Sequence, residues 1–182
     1  MITYNELENR YNTEKQRMDN GEVINKLELM FIGYALDAVD TGKHNFKINL
    51  DFSEDSIKNV ELILDKLNKS LYKAPSKEII MSFAKQFAGY IGQIIINKWG
   101  GEWIDESNYE IENGPGLKVK DQHLFLLSKV YRRITRGSEE NVYHFYETIK
   151  KDFDGDYKEV NVESLYKDKN KSFIKRIFGI KR

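Results

Sequence analysis

The chain has 182 residues with 29 basic and 29 acidic side chains, no cysteine, and a hydrophobic content of 40%. This length is typical of one domain, and the hydrophobic content is sufficient for a globular core. The absence of cysteine excludes disulfides, a cysteine nucleophile and thiolate metal sites. Because the overall charge is balanced, we expect no nucleic-acid partner that covers the whole surface.

The N-terminus and the apolar stretches predict a cytoplasmic location. Residues 1–6 lack the basic and apolar regions of a signal peptide. The longest apolar stretches, such as 29–36 and 91–96, are shorter than the roughly 20 residues that cross a bilayer. A cytoplasmic protein is therefore the expectation.

The first half of the chain predicts three helices and one strand. Leu7 and Tyr11 lie one helical turn apart in a polar region, which predicts a weakly anchored helix over 1–20. Helical spacing of apolar residues predicts an amphipathic helix over 22–39. Residues 46–52 alternate strictly between apolar and polar, which predicts a half-buried strand. Ser53 follows as a candidate N-cap of a helix that continues to Leu71.

Residues 76–98 are predicted to form the central, most buried helix, because their apolar side chains cover more than one helical face. Gly89 and Gly92 inside this helix indicate close backbone packing, since glycine costs about 1 kcal/mol against alanine in a helix. Gly100 and Gly101 end the helix. We expect one of them to be left-handed and the Trp103 ring to pack back against the helix.

Three short strands are predicted next, at 102–104, 109–111 and 117–119, with a turn at 113–116. Helices over 124–135 and from Ser138 onward follow. The sequence therefore predicts an α+β fold, in which a small antiparallel sheet of about three or four strands packs with five or six helices. A single domain is expected over 1–166.

Acidic residues in the strand region form one candidate interaction surface. They include Glu102, Glu110 and Glu112, and strand alternation places the last two on one face. A solvated acidic face is the ordinary interpretation. A surface that recognises a basic protein partner is the alternative.

The C-terminal tail, residues 167–182, has seven basic residues and one acidic residue. Four apolar residues fall on one helical face, with two basic residues opposite: Phe173, Ile174, Ile177 and Phe178, against Lys175 and Arg176. This pattern predicts a helix over 170–178. The tail could dock on the body, pair with a second copy in a homo-oligomer, or bind an anionic membrane surface.

No catalytic or metal-binding motif occurs in the sequence, so we expect no metal and no cofactor. Asp154-Gly155-Asp156, for example, lacks the ligand spacing and closing glutamate of a calcium loop. A non-catalytic binding protein, such as an inhibitor or immunity-like partner, is favoured and predicts a broad, shallow, acidic or aromatic surface. The alternative is a small-ligand binder or enzyme, which predicts a concave pocket with convergent titratable groups.

Two segments carry motifs. Residues 50–57 read LDFSEDSI and are followed by Glu61 and Leu64, while YIGQ at 90–93 is followed by GGEW at 100–103. Together they resemble the LDxSxxSLxxxExxL and YxGE…GGxW patterns of a bacterial family of small α+β proteins with no established function. Gln93 stands where that pattern has an acid. The resemblance implies an α+β fold and a bacterial, cytoplasmic origin, and immunity proteins are related to it by analogy only.

Overall fold

The computed structural model describes residues 2–105 and 114–155, which form six α-helices and one three-stranded antiparallel sheet. The helices are α1 (Tyr4–Asp19), α2 (Lys26–Thr41), α3 (Ser56–Lys69), α4 (Lys77–Trp99), α5 (Leu126–Arg136) and α6 (Val142–Asp154). The strands are β1 (Glu102–Ile104), β2 (Gly116–Val119) and β3 (Gln122–Leu124). The predicted α+β class with a small sheet is confirmed.

The chain divides into two compact units, residues 1–146 and 147–182. The first unit contains the sheet, the helices α1 to α5 and the start of α6. The described part of the second unit is the remainder of α6 and Gly155. The predicted domain boundary at residue 166 lies outside the described residues and stays a prediction.

Polar side chains set the starts of several helices. Thr3 and Glu6 form a reciprocal capping box at the start of α1. Asn25 and Ser76 accept hydrogen bonds from backbone N–H groups in the first turns of α2 and α4. Leu7 is the buried residue of α1 and is fully covered. The N-terminal segment is therefore helical, as predicted.

The central helix is α4, which packs chiefly against α2 and α5. Phe87, Tyr90, Ile91 and Ile94 are all buried, as the apolar pattern predicts. Phe83 is half-buried, because it lies nearer the start of the helix where the cover is thinner. The predicted bounds of 76–98 agree with the observed helix within one residue.

By length and composition, α4 is also the one described helix that could cross a membrane, with a mean hydropathy of 1.4. Of its apolar window, 56% is buried inside the structure. The buried core helix of a soluble protein meets the same criteria. The hydropathy of α4 is therefore weak evidence for membrane crossing.

Gly89 sets how closely α2 and α4 approach each other. A Cβ at this position would lie 2.7 Å from the carbonyl oxygen of Phe31 and 3.1 Å from the backbone nitrogen of Ala35. Both are backbone atoms of α2 and cannot rotate away. Any side chain at position 89 therefore forces the two helices apart.

We expect Gly89→Ala to lower the free energy of unfolding by about 1–3 kcal/mol, the usual cost of overpacking, despite the better helix propensity of alanine. Gly33→Ala is the matched control within α2. The nearest neighbour of its Cβ is the edge of the Tyr11 ring at 3.2 Å, a side chain that can shift. The control should be neutral or stabilising in urea unfolding, and equal losses for both variants would contradict this packing.

The prediction of a strand over 46–52 is wrong. Gly42–Phe46 form a π-helical turn that continues α2, and residues 47–52 pair with none of the described strands. The exposure of the side chains nevertheless alternates as predicted: Leu50 and Phe52 are buried, whereas Asn49 and Asp51 are exposed. The alternation of apolar and polar residues therefore indicates a segment with one face against the core, and not a strand of a sheet.

Side chains, rather than a neighbouring strand, bind the backbone of this segment. Asn59 Nδ2 donates to the carbonyl oxygen of Asn49 at 3.0 Å. The backbone N–H of Phe52 donates to the Tyr90 hydroxyl at 2.7 Å. Because these hydrogen bonds connect residues far apart in the chain, the local pattern could not distinguish them from a sheet ladder.

The sheet has the order β1-β2-β3, with β2 in the centre. In its register Trp103 pairs with Leu117, and Leu117 pairs with Leu124. Strand β3 was not predicted, because the two-residue connection before it has Lys120 in the left-handed conformation, with φ of 54°, where a hairpin normally has Gly, Asn or Asp. The predicted strand 109–111 lies outside the described residues.

Two predicted helix starts are shifted. Ser53 is not the N-cap of α3, which begins at Ser56 after a turn. Ser53 nevertheless caps the turn before α3, because its Oγ accepts the backbone N–H of Ser56 at 3.1 Å. Ser138 begins a short 3₁₀ turn, and α6 starts only at Val142.

Candidate functional site

The two motif segments meet at Tyr90, inside the core. The Tyr90 hydroxyl lies 2.7 Å from the backbone nitrogen of Phe52 and 2.6 Å from Ser56 Oγ. Its ring stacks on Phe52 with the centroids 4.7 Å apart. Phe52 has φ of 60°, which is uncommon for a bulky residue and requires such support. Burial raises the pKa of Tyr90 to about 12, so the hydroxyl stays neutral and serves as a structural hydrogen-bonding group.

Asp51 and Ser53 extend this network into the turn before α3. Asp51 Oδ1 accepts the backbone N–H of Ser53 at 3.0 Å and the Ser53 hydroxyl at 2.6 Å. These hydrogen bonds from Ser53 lower the pKa of Asp51. Asp51 and Ser53 of the first motif thus stabilise the turn before α3.

The second motif builds the contact between α4 and β1. A Cβ at Gly92 would lie 2.4 Å from Cζ2 of Trp103, so only glycine leaves space for the indole. Trp103 is buried and stacks on Phe31, with the ring centroids 3.6 Å apart. Gly100 and Gly101 have φ of 78° and 130°. The predicted packing of Trp103 and the left-handed glycine are both confirmed.

Gln93, which stands at the acid position of the motif, is buried on α4. Its Nε2 has no hydrogen-bond partner among the described residues. An amide does not titrate, and this position therefore offers no acid–base chemistry.

Glu61 of the first motif joins three helices through a buried ion pair. Arg133 on α5 is 2% exposed, and its Nε lies 2.6 Å from Glu61 Oε1. Arg133 Nη2 lies 3.3 Å from Asp65. Glu61 Oε2 accepts the backbone N–H of Val142 at 3.0 Å. Arg133 could not be identified from the sequence, because its amphipathic position on α5 does not reveal which carboxylate it meets.

The residues chosen from the sequence as a candidate surface are mostly not described. Glu102 is exposed on β1, where it pairs in register with Lys118. The residues outside the described part are Glu110, Glu112, Phe173, Ile174, Lys175, Arg176, Ile177 and Phe178. The tail helix and its three alternative roles stay predictions. Within the described residues, no group of three His, Asp or Glu side chains could hold a metal ion.

A wide cleft of about 660 Å³ opens between the start of α1, the end of α2 and residues 47–51. Tyr4, Asp40, Lys43 and Asp51 are among the residues that line it. The cleft is open to solvent along its length. Of the surfaces in the described residues, it matches best the broad, shallow and partly aromatic surface that a binding protein needs.

Three acidic side chains act electrostatically on Tyr4, and one of them, Asp40, also lines the cleft. Burial raises the pKa of Tyr4, and Asp40, Glu8 and Asp37 raise it further. Partial burial also raises the pKa of Asp37, with a contribution from Asp40 one turn away. Neither aspartate forms a hydrogen bond or ion pair with another described residue. We call Tyr4, Glu8, Asp37 and Asp40 the acidic face.

Unusual backbone lies beside the acidic face. The π-helical turn Gly42–Phe46 ends at Lys47, a non-glycine residue in the left-handed conformation with φ of 57°. A Cβ at Gly42 would lie 2.9 Å from the carbonyl oxygen of Ile48, so the returning chain passes very close to the helix. π-helical turns are often found at functional sites, which supports a role for this cleft.

Comparison with known proteins identified no relative of this chain. No family model matches the chain, and neither a curated protein nor a solved structure matches it. The family resemblance of the two motifs therefore stays a prediction. The contacts of Tyr90, Gly92, Glu61 and Trp103 give those motif positions a structural explanation that is independent of any family.

Proposed function

We propose that the protein functions without catalysis, by binding a protein partner through the acidic face, which shares Tyr4 and Asp40 with the cleft. The observation that carries this proposal is a half-buried tyrosine among three carboxylates, two of which no ion pair of the described residues neutralises. Tyrosine is enriched in protein interfaces, because its ring offers a large contact area and its hydroxyl a hydrogen bond. The charge of the face favours a basic segment of the partner.

The charges of the wider cleft indicate which charged groups a partner would present. Lys43 and Lys47 line the same cleft and are exposed. A partner that presents Lys or Arg side chains toward Tyr4, with an acidic residue nearby, would be complementary to both groups. Such mixed complementarity contributes more to specificity and association rate than to affinity.

Raised pKa values in a cleft are also typical of catalytic sites, which is the basis of the enzyme alternative. Catalytic electrostatics requires a site from which water is excluded. Asp37 and Asp40 are instead exposed side chains, and the cleft that Asp40 lines is open to solvent. Their arrangement supports recognition of a charged surface more than acid–base chemistry.

The experiment compares three immobilised proteins in native lysate: wild type, Asp37→Asn/Asp40→Asn, and the control Asp19→Asn/Glu139→Gln. The control removes the same charge from exposed residues away from the cleft. We expect a partner that wild type and control retain and the cleft variant loses, with retention that falls as salt rises. A retained set that is the same for all three proteins, including an empty one, contradicts the proposal.

Stability measurements show whether loss of binding reflects unfolding. Because burial and Asp40 raise the pKa of Asp37, its charge is disfavoured in the folded state. The folded state therefore favours the protonated form of Asp37. The stability gained from this form is fully present below the unfolded pKa and is lost as pH rises through the raised folded pKa. Asp37→Asn should therefore raise Tm at neutral pH and leave it unchanged at about pH 3, where aspartate is protonated. A lower Tm at neutral pH would contradict this account.

A further inference from the structure

Exposed apolar side chains gather at the corner between α3 and α4, which comprises residues 66–80. Tyr72 is 81% exposed and Ile79 is 50% exposed. Tyr72 lies in a 3₁₀ turn, Ser70–Lys73, that is followed by Ala74 with φ of 50°. Scattered single apolar residues are ordinary on protein surfaces. Here they lie on one projecting turn and the first turn of the next helix.

Lysines surround this apolar tip. Lys66, Lys69, Lys73 and Lys77 are all exposed, and residues 66–80 contain one acid, Glu78. Lys69 forms an ion pair with Asp65 of α3. Within the described part of the chain, the other three lysines form no ion pair. The corner is therefore basic in a chain whose total charge is zero.

The cavity beneath the turn Ser70–Lys73 is too small for a small-molecule ligand. The cavity under the turn has a volume of about 40 Å³ and is lined mainly by apolar side chains, among them Leu71, Pro75 and Ile79. That volume is close to that of one or two water molecules. Whatever binds this corner must therefore accept a protruding apolar tip rather than insert into the protein.

We infer that this corner docks on an anionic membrane surface. Lysines attract anionic headgroups, while their aliphatic stems and a tyrosine ring are stable at the boundary between headgroups and acyl chains. A lipid surface deforms around a convex tip. A protein partner would need a matching concave pocket for Tyr72 and acidic groups arranged around it. Charge and shape together favour the lipid surface.

The expected binding is weak and reversible. A lysine near an anionic surface contributes about fivefold to binding, so three of them contribute about 100-fold. One apolar tip alone does not anchor a protein stably, and a second signal is usually required. The sequence has a second basic segment, residues 167–182, whose contribution the experiment must separate.

Co-sedimentation with vesicles tests the inference in the full-length protein. Vesicles contain phosphatidylcholine alone or with about one third phosphatidylserine, the anionic lipid of cytoplasmic leaflets. The corner variant is Lys66→Gln/Lys73→Gln/Lys77→Gln. Its matched control is Lys15→Gln/Lys26→Gln/Lys118→Gln. A separate tail variant is Lys175→Gln/Arg176→Gln. All six substituted positions outside the tail are exposed lysines.

We expect salt-sensitive binding of wild type to the anionic vesicles only. The corner variant should bind about 100-fold more weakly, whereas the control should change by no more than a few-fold. A corner variant that binds like wild type overturns the inference, because the vesicle binding then belongs to the tail. A wild-type protein that does not bind anionic vesicles also overturns the inference. In that case, loss of a protein partner by the corner variant would assign the corner to an acidic protein.

The position of the tip in the bilayer gives a second readout. Tyr72→Trp places a fluorophore at the tip, and Val23→Trp places one at a residue that is 98% exposed elsewhere on the protein. Lipids with brominated acyl chains should quench the tryptophan at position 72 more strongly than the one at position 23. Equal quenching at both positions overturns the proposed orientation.

Discussion

Replacing Arg133 with methionine will lower the free energy of unfolding by about 3–5 kcal/mol, the usual cost of removing one partner of a buried ion pair. Arg133 is 2% exposed, and its partner Glu61 has a side chain that is 15% exposed. Without the guanidinium, the Glu61 carboxylate stays buried without its cation. The same carboxylate accepts the backbone N–H of Val142, so the substitution also affects the start of α6.

Urea unfolding of three further variants separates this ion pair from ordinary surface charge. Arg136→Met is the control on the same helix, because its contact with Glu140 at 3.8 Å is exposed, and it should cost less than about 1 kcal/mol. Glu61→Gln keeps an acceptor for Val142 and should cost less than loss of Arg133. The double variant Arg133→Met/Glu61→Gln should recover part of the loss. A single Arg133→Met variant as stable as the control would contradict the role of the pair.

Replacing Phe87 with alanine should destabilise the protein by about 3–5 kcal/mol, because the substitution removes a large buried ring and leaves a cavity. Phe87 is fully buried on α4, the helix that packs against both α2 and α5. The surrounding helices are constrained by close contacts such as that of Gly89, so they cannot collapse into the space. Thermal unfolding measures the loss directly.

Phe83→Ala is the matched control, since it removes the same ring from the same helix at a half-buried position. Its cost should be clearly smaller, in proportion to the smaller apolar area that is covered. A Phe87→Ala variant with the Tm of wild type would show that position 87 does not lie in the core. Equal losses at the two positions would contradict the difference in burial.

The residues that stabilise the core differ from those of the two proposed binding surfaces. Tyr90, Gly92, Glu61 and Trp103 all serve contacts within the core, and their removal should reduce stability. Asp37 and the exposed lysines of the α3–α4 corner contribute little to the core. Charged or exposed groups that do not stabilise the fold are the better candidates for function, because a binding surface often costs stability.

The central helix, the glycines that end it and the return of Trp103 could all be predicted from local sequence. Their signals come from neighbouring residues, such as an apolar run that covers several helical faces and a pair of glycines after it. Such signals need no knowledge of the rest of the chain. The small antiparallel sheet also followed from local pattern, although β3 was missed because its turn has no glycine.

Only the tertiary structure decided what surrounds residues 46–52, which carboxylates meet Arg133, and which side chains gather at Tyr4. Alternation predicted one covered face for 46–52, yet the hydrogen bonds that replace a strand come from Asn59 and Tyr90. The acidic face joins Tyr4 to Asp37 and Asp40, which are more than 30 residues away in the chain. Burial and charge act through distance in space, and a single sequence records only distance along the chain.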